Sequence, residues 1–255
     1  MRLIDSHCHL DAPEFNADRA AVIARAKAVG VAAIVAPAIT AASWPGLRTT
    51  CADDAALHPA YGLHPVFLAE HRPEHLAELR AWLQRERPCA IGECGLDFFV
   101  ERLDATRQRD YFDGQLRLAR EFDLPVVVHA RRAVDAVIQA LRRIGGLRGV
   151  VHSFSGSAEQ ARQLWDMGFL LGLGGPVTYP RANRLRALAA RMPLEFLLLE
   201  TDAPDQPDCA VAGQRNESAR LLAIAAIIAE LRGQTVPEIA ERTSANAARL
   251  FGLSL

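Results

Sequence analysis

Leu124-Pro125-Val126-Val127-Val128-His129 and Gly149-Val150-Val151-His152 are two valine-rich runs, each ended by a histidine, with a helical apolar pattern over residues 133–144 between them. A branched Cβ favours extended backbone, and apolar residues on both parities describe a strand covered on both faces. Strand, helix, strand in so short a span is the crossover unit of a parallel sheet. The alternation continues outward in both directions. Apolar runs at residues 2–4, 32–36, 60–62 and 89–91 precede these two, and runs at 169–172 and 196–199 follow. Helical spacing marks residues 18–29, 106–122, 158–167 and 185–191. Residues 217–231 and 237–250 form a helical tail, with Asn216 or Ser218 as the cap of the first and Pro237 in the first turn of the second. Eight strands alternating with helices in 255 residues predict an α/β fold: a single-domain (β/α)8 TIM barrel over residues 1–255 with an extra C-terminal helix. Residues 203–213, rich in Pro and Asp, read as one long loop.

Composition narrows the function classes. Half the residues are apolar, 23% are charged and the net charge is -1, which excludes a disordered chain and a strongly basic protein that coats duplex. Lys27 is the only lysine, so Schiff-base, P-loop and carboxylated-lysine chemistry cannot arise elsewhere. Five cysteines at irregular spacing, with no Cys-x-x-Cys, suggest a reduced, cytoplasmic protein without disulfides or a cysteine-rich zinc site. The amino terminus lacks the apolar core of a signal peptide, and no run reaches the ~18 apolar residues of a membrane span.

Barrel enzymes carry their active sites at the C-terminal ends of the strands, so the residues that close each run matter most. They are Asp5-Ser6-His7-Cys8-His9, Leu63-His64-Pro65, Gly92-Glu93-Cys94-Gly95-Leu96-Asp97, His129, His152 and Glu200-Thr201-Asp202. Five of the eight histidines sit there, while His58, His71 and His75 fall in predicted loops or helices. Residues i and i+2 of a strand share a face, which aims His7 and His9 at one divalent cation. Glu93 has two oxygens and can bridge two cations. His129 and His152 end successive strands opposite the His-x-His pair. Asp202 can ligate a metal and accept the proton of a bound water. Asp5 shares the parity of His7 and is expected to hold an imidazole tautomer, whereas Asp97 reads as a turn residue. Cys8 and Cys94 have the opposite parity and should face the helices. His64 and Arg131 are candidate substrate contacts, Arg131 as a fork onto phosphate. Arg142, Arg143, Arg181, Arg184 and Arg186 read as solvated helix faces. Gly172-Leu173-Gly174-Gly175-Pro176 reads as a strand-end turn, not a dinucleotide fingerprint.

Six ordered motifs, Asp5-Ser6-His7-Cys8-His9-Leu10, Gly62-Leu63-His64-Pro65, Ile91-Gly92-Glu93-Cys94-Gly95-Leu96-Asp97, Leu124 to His129, His152-Ser153-Phe154-Ser155-Gly156 and Glu200-Thr201-Asp202-Ala203-Pro204, together resemble the TatD family of metal-dependent deoxyribonucleases, in particular its YjjV-like branch. The likeness runs from about Ile4 to Gly252. It implies an amidohydrolase-type barrel with two divalent cations, zinc foremost, with manganese or magnesium as alternatives. Carried over by position, His7 and His9 would bind the first metal, Glu93 would bridge, His129 and His152 would bind the second, and Asp202 would complete the first while serving the water. The family's activity implies hydrolysis of DNA, often from an end. This chain departs from the common pattern at Cys94, at Asp205 and in Asn216-Glu217-Ser218, and the latter two lie in expected substrate loops.

The resulting expectation is a cytoplasmic, monomeric, metal-dependent phosphodiesterase, with DNA or an oligonucleotide as a transient substrate. Single-stranded ends are favoured because a near-neutral surface holds duplex weakly. Two alternatives remain open: a hydrolase of carboxylic or aminoacyl esters on the same barrel, and a non-catalytic, metal-stabilised binding protein.

Overall fold

The structure is a computed structural model and describes residues 1–254. Eight parallel strands pair in chain order: β1 (Leu3–Asp5), β2 (Val31–Pro37), β3 (Leu57–Tyr61), β4 (Ala90–Asp97), β5 (Val126–Arg131), β6 (Gly149–Val151), β7 (Phe169–Leu173) and β8 (Leu197–Leu199). The ring closes through backbone bonds from Ser6 N to Leu199 O (3.0 Å) and Asp202 N to His7 O (2.9 Å). Helices α1 (Arg19–Ala28), α2 (Trp44–Ala52), α3 (His75–Glu86), α4 (Ala105–Phe122), α5 (Val134–Ile144), α6 (Ala158–Trp165), α7 (Asn183–Arg191) and α8 (Leu221–Arg232) follow the strands in turn, and α9 (Val236–Phe251) is the extra helix. The barrel read from the sequence is the observed fold.

Two apolar layers hold it together. Ile4, Val35, Val127, Val150 and Leu198 fill the inside of the ring, and Leu250 and Phe251 of α9 close its N-terminal end. Burying each such side chain contributes roughly 1.5–3 kcal/mol. The second layer lies between strands and helices and includes Cys8 and Cys94, as their parity predicts. Capping fixes α9: Thr235 and Glu238 form a reciprocal capping box, and Pro237 lies in the first turn.

Several local expectations change. The apolar pattern places strand four at residues 89–91, but β4 runs on to Asp97, which puts Glu93 inside the strand. Gly95 makes this possible. A Cβ there would sit 2.1 Å from His129 O, and its φ is +143°. Strand three begins earlier than its apolar run, so His58 lies in β3 rather than in a loop. Helices α2 and α3 have no counterpart among the segments read as helical. The α2 sequence contains Pro45, Gly46, Thr49 and Thr50, which weaken its helical signal. Neither Asn216 nor Ser218 caps α8, because a 3-10 turn at Ser218–Arg220 precedes it. The Asn216 amide instead donates to Thr201 O (2.9 Å) and Asp205 O (2.8 Å), pinning the loop after β8.

Candidate metal centre

A cavity of about 1060 Å³ opens at the C-terminal mouth of the barrel. Glu93 sits at its floor, and the donors divide around its two oxygens. On the Oε2 side, His7 Nε2 lies at 3.1 Å and His9 Nε2 at 3.2 Å. Asp202 Oδ1 is 3.4 Å from His7 Nε2 and 3.7 Å from His9 Nε2. On the Oε1 side, His152 Nε2 lies at 2.8 Å, His64 Nε2 at 2.9 Å and His129 Nδ1 at 3.0 Å. A cation bonded at ~2.0–2.1 Å to tetrahedral donors holds them about 3.3–3.4 Å apart, so both groups have the dimensions of a ligand set. Glu93 Oε2 is buried and aligned for a hydrogen bond with neither nearby imidazole, which is the orphaned acceptor a cation would satisfy.

Outer contacts decide which imidazole nitrogens are free. His9 Nδ1 faces the Pro37 carbonyl at 3.2 Å, which can only accept, so the proton sits on Nδ1 and leaves Nε2 a lone pair. His129 Nε2 faces Asp97 Oδ2 at 2.9 Å, which leaves Nδ1 free by the same logic. His64 is arranged the other way. Val66 N–H donates to its Nδ1 at 3.2 Å, so neutral His64 carries its proton on Nε2 and presents a donor to the cavity. It suits an oxygen of a substrate better than a cation. His7 Nδ1 and His152 Nδ1 are buried without partners. The rings of His7 and His152 stack at 3.9 Å.

The second carboxylates depart from the sequence reading. Asp5 does not hold an imidazole. Its Oδ1 accepts from the backbone N–H groups of Thr201 (3.0 Å) and His7 (3.3 Å), and its Oδ2 accepts from Thr201 Oγ1 (2.6 Å). It thereby locks β1 to β8. Asp97 is more than a turn residue, since it orients His129 and also accepts from Phe99 N and Val100 N. Glu200, to which the strand-end pattern assigns no role, is buried beside Gly172, where a Cβ would lie 1.9 Å from Glu200 Oε2, and it accepts from Ser153 N. Asp202 Oδ2 accepts from Gln206 Nε2, and Ser153 Oγ donates to Gln206 Oε1 at 2.8 Å. Arg131 is exposed at the rim, with Cζ 3.7 Å above the Phe99 ring.

Electrostatics follow from crowding these groups in a buried floor. Burial lowers His7 to about 4, helped by the neighbouring His152. Burial also opposes charge on His9 and His152, but the Glu93 carboxylate outweighs it and holds them at about 9 and about 10. Burial raises Asp5 to about 6 and Glu200 to about 8. Burial opposes the charged form of Glu93 too, yet the surrounding imidazoles, His152 foremost, hold it well below the usual carboxylate range. Protons on His9 and His152 occupy the positions where cations would bind, so the bare site balances its own charge with protons.

Comparison with known proteins gives the site its family. The model of the TatD related DNase family matches residues 4–252. This chain belongs to the TatD family. The E. coli K12 protein YjjV, an uncharacterized metal-dependent hydrolase, is 41% identical over 99% of this chain and 98% of its own. The E. coli YjjV crystal structure superposes with a TM-score of 0.95, covering 99% of both chains at 39% identity. The 3′-5′ ssDNA/RNA exonuclease TatD of Pantoea ananatis is 34% identical over 98% of this chain and 100% of its own. The chain is thus a TatD-family metal-dependent hydrolase, and its clustered His, Glu and Asp groups suggest a binuclear centre. No described helix is long and apolar enough to cross a membrane.

Proposed function

We propose that the protein is a two-metal phosphodiesterase acting on the ends of single-stranded nucleic acid. The observation that carries this reading is the division of donors around Glu93, with His7 and His9 on one oxygen and Asp202 beside them, and His129 and His152 on the other. In this reading those six side chains would hold two divalent cations, with Glu93 as the ligand common to both. Bound cations supply a water of lowered pKa and positive charge opposite the phosphate oxygens. Zinc suits the histidine-rich donors, and manganese or magnesium are the alternatives.

The chain's own groups then have distinct tasks. Asp202 takes the proton of the attacking water, with Gln206 holding Oδ2 so that Oδ1 faces the centre. His64 offers its Nε2 proton to a non-bridging phosphate oxygen. His71 fixes His64 by donating from Nε2 to its carbonyl at 2.8 Å. Arg131 stands at the rim where a neighbouring phosphate can meet it. The substrate class draws support from the family and from the Pantoea ananatis exonuclease.

The test is hydrolysis of end-labelled single-stranded DNA and RNA beside aryl esters, with zinc, manganese or magnesium supplied. Expected is nucleotide release from oligonucleotides in preference to ester turnover. An ester preference favours the carboxylic or aminoacyl ester hydrolase, and silence on both substrates with two cations bound favours a binding protein.

A further inference from the structure

The rim of the mouth is divided by charge. Asp11 and Glu14, after β1, and Asp205, after β8, line one wall of the cavity, while Arg131 is the one arginine lining it among the described residues. In an eight-strand ring β1 and β8 lie opposite β4 and β5, so acidic and basic walls face each other across the centre. The basic side continues outward. Arg132 follows Arg131 with φ 53°, a left-handed turn that carries its side chain to the same ring, Cζ 4.7 Å above Phe99. Phe99 is 42% exposed and, apart from Met1, is the one exposed large apolar side chain among the described residues. Neither arginine has a carboxylate partner among the described residues, unlike Arg25, Arg143 or Arg220 elsewhere. Beyond them lies a groove of about 570 Å³ lined by Phe98, Arg109, Arg132, Gln139 and Ser155, with Ser155 also lining the mouth. Asp135 lines it too, with Oδ1 engaged by Gln160 Nε2 at 2.7 Å.

A part-exposed phenyl ring under two guanidinium groups that lack carboxylate partners offers what single-stranded nucleic acid needs: forks for phosphates, and a ring on which a base stacks when a guanidinium swings off it to a phosphate. We propose that Phe99, Arg131 and Arg132 form a subsite for the nucleotides next to the scissile one, so that the strand leaves the centre over the β4 and β5 loops. The opposite wall presents the Asp11, Glu14 and Asp205 carboxylates, with Arg19 and Arg215 behind it donating to the Asp11 and Glu14 carbonyls, and is the less favourable side for phosphates. Asp97 joins the subsite to the centre, since one oxygen orients His129 while the other anchors Phe99 N at 2.8 Å and Val100 N at 2.9 Å. This inference rests on the phosphodiesterase reading.

The experiment compares KM and kcat for a dinucleotide and an octanucleotide, with bis(p-nitrophenyl) phosphate as a probe of the wild-type centre alone. Binding of a fluorescent octanucleotide is measured separately on metal-free protein across a salt series. Expected is a wild-type KM that falls tenfold or more from dinucleotide to octanucleotide. Phe99→Ala and the pair Arg131→Gln with Arg132→Gln each raise the octanucleotide KM about fivefold or more, chiefly in KM and not in kcat. The arginine pair also lowers the salt slope of binding by about 0.7 for each phosphate it no longer neutralises. Phe99→Trp restores the affinity that Phe99→Ala removes, an outcome a merely structural role does not produce. Octanucleotide KM and salt slope unchanged in both variants, while wild type cleaves DNA, overturn the subsite and leave the phosphodiesterase standing. Wild type that turns over the aryl phosphate yet neither binds nor cleaves oligonucleotides overturns the nucleic-acid reading and the subsite together.

Discussion

The two ends of this barrel are built from the same strands and solve opposite problems. At the N-terminal end Ile4, Val127 and Leu198 meet Leu250 and Phe251 of α9, apolar side chains that burial favours. At the C-terminal end Glu93 Oε2, Glu200 Oε2, His7 Nδ1 and His152 Nδ1 are buried without partners. A buried polar atom left unpaired costs about 1–3 kcal/mol. The base therefore supplies stability that the mouth gives up, and the mouth regains part of it only when something positive enters. Function and folding are separable by position along each strand.

The hardest blow to that separation is Glu93→Gln or Asp202→Asn. Each change keeps the shape and removes a negative charge at the centre. Expected is a loss of at least about 10³-fold in kcat/KM, roughly 4 kcal/mol, together with a lower melting temperature for metal-free Glu93→Gln, whose His9 and His152 protons lose their counter-charge. Calorimetry beside oligonucleotide turnover checks both halves, and near wild-type turnover in either variant removes the two-metal reading. Phe251→Ala is the mirror experiment. It empties the base and should cost about 3–5 kcal/mol in denaturant unfolding while the folded fraction still binds two cations per chain. A fall in bound cations that tracks the fall in stability would show that the ends are coupled after all.

Most of this division was legible in the sequence, for a physical reason. A parallel barrel strand is apolar until its last residues, so a histidine or carboxylate at the end of a valine run has few reasons to be there. That rule brought His7, His9, Glu93, His129, His152 and Asp202 into view. What stayed hidden depends on neighbours across strands. The reach of Asp97 to His129 is set by the β4–β5 register, which pairs Gly95 with His129 and Asp97 with Arg131, and no local pattern announces it. The proton placement on His64 follows from Val66 in a 3-10 turn. Phe99 reads as an ordinary aromatic until its exposure is seen. The missed helix α3 did carry a signal, in Leu76, Leu79 and Leu83 at helical spacing.

Asp97→Asn sharpens the comparison within the mouth. The amide can present its nitrogen to His129 Nε2 and destabilise the tautomer that frees Nδ1. A 10–100-fold loss of affinity for one of two cations is expected, read by titration with a competing chelator. If both cations weaken equally, the two donor groups are not independent.

Acidity gives a smaller, graded effect of known sign. His9 at about 9 and His152 at about 10 stand above their unfolded values near 6.5. Their protons stabilise the metal-free fold fully below about pH 6.5, and that contribution fades as pH rises through 9 and 10. Glu200, raised to about 8, acts in the same direction, because burying its carboxylate becomes costly as pH climbs above its unfolded value. Cation binding must displace the histidine protons, so affinity rises with pH by up to tenfold per unit for each proton released. The rise in melting temperature on adding metal should therefore grow between pH 6.5 and 9. A gain that is flat or shrinks over this range would contradict the charge balance assigned to the floor.

Cys94→Ala is the mildest test and isolates parity. Cys94 follows Glu93 in β4 but turns to the helix-facing layer, where its Sγ lies 3.7 Å from Val127 O. Burial pushes its thiol up beyond any thiolate role at neutral pH. Removing the sulfur leaves a small void and should cost about 1 kcal/mol, with two cations per chain still bound. Elemental analysis of this variant decides the matter: a single remaining cation would mean that neighbouring residues of β4 do not serve separate layers. The division between a reactive mouth and a packed body would then fail at the strand where it is drawn most sharply.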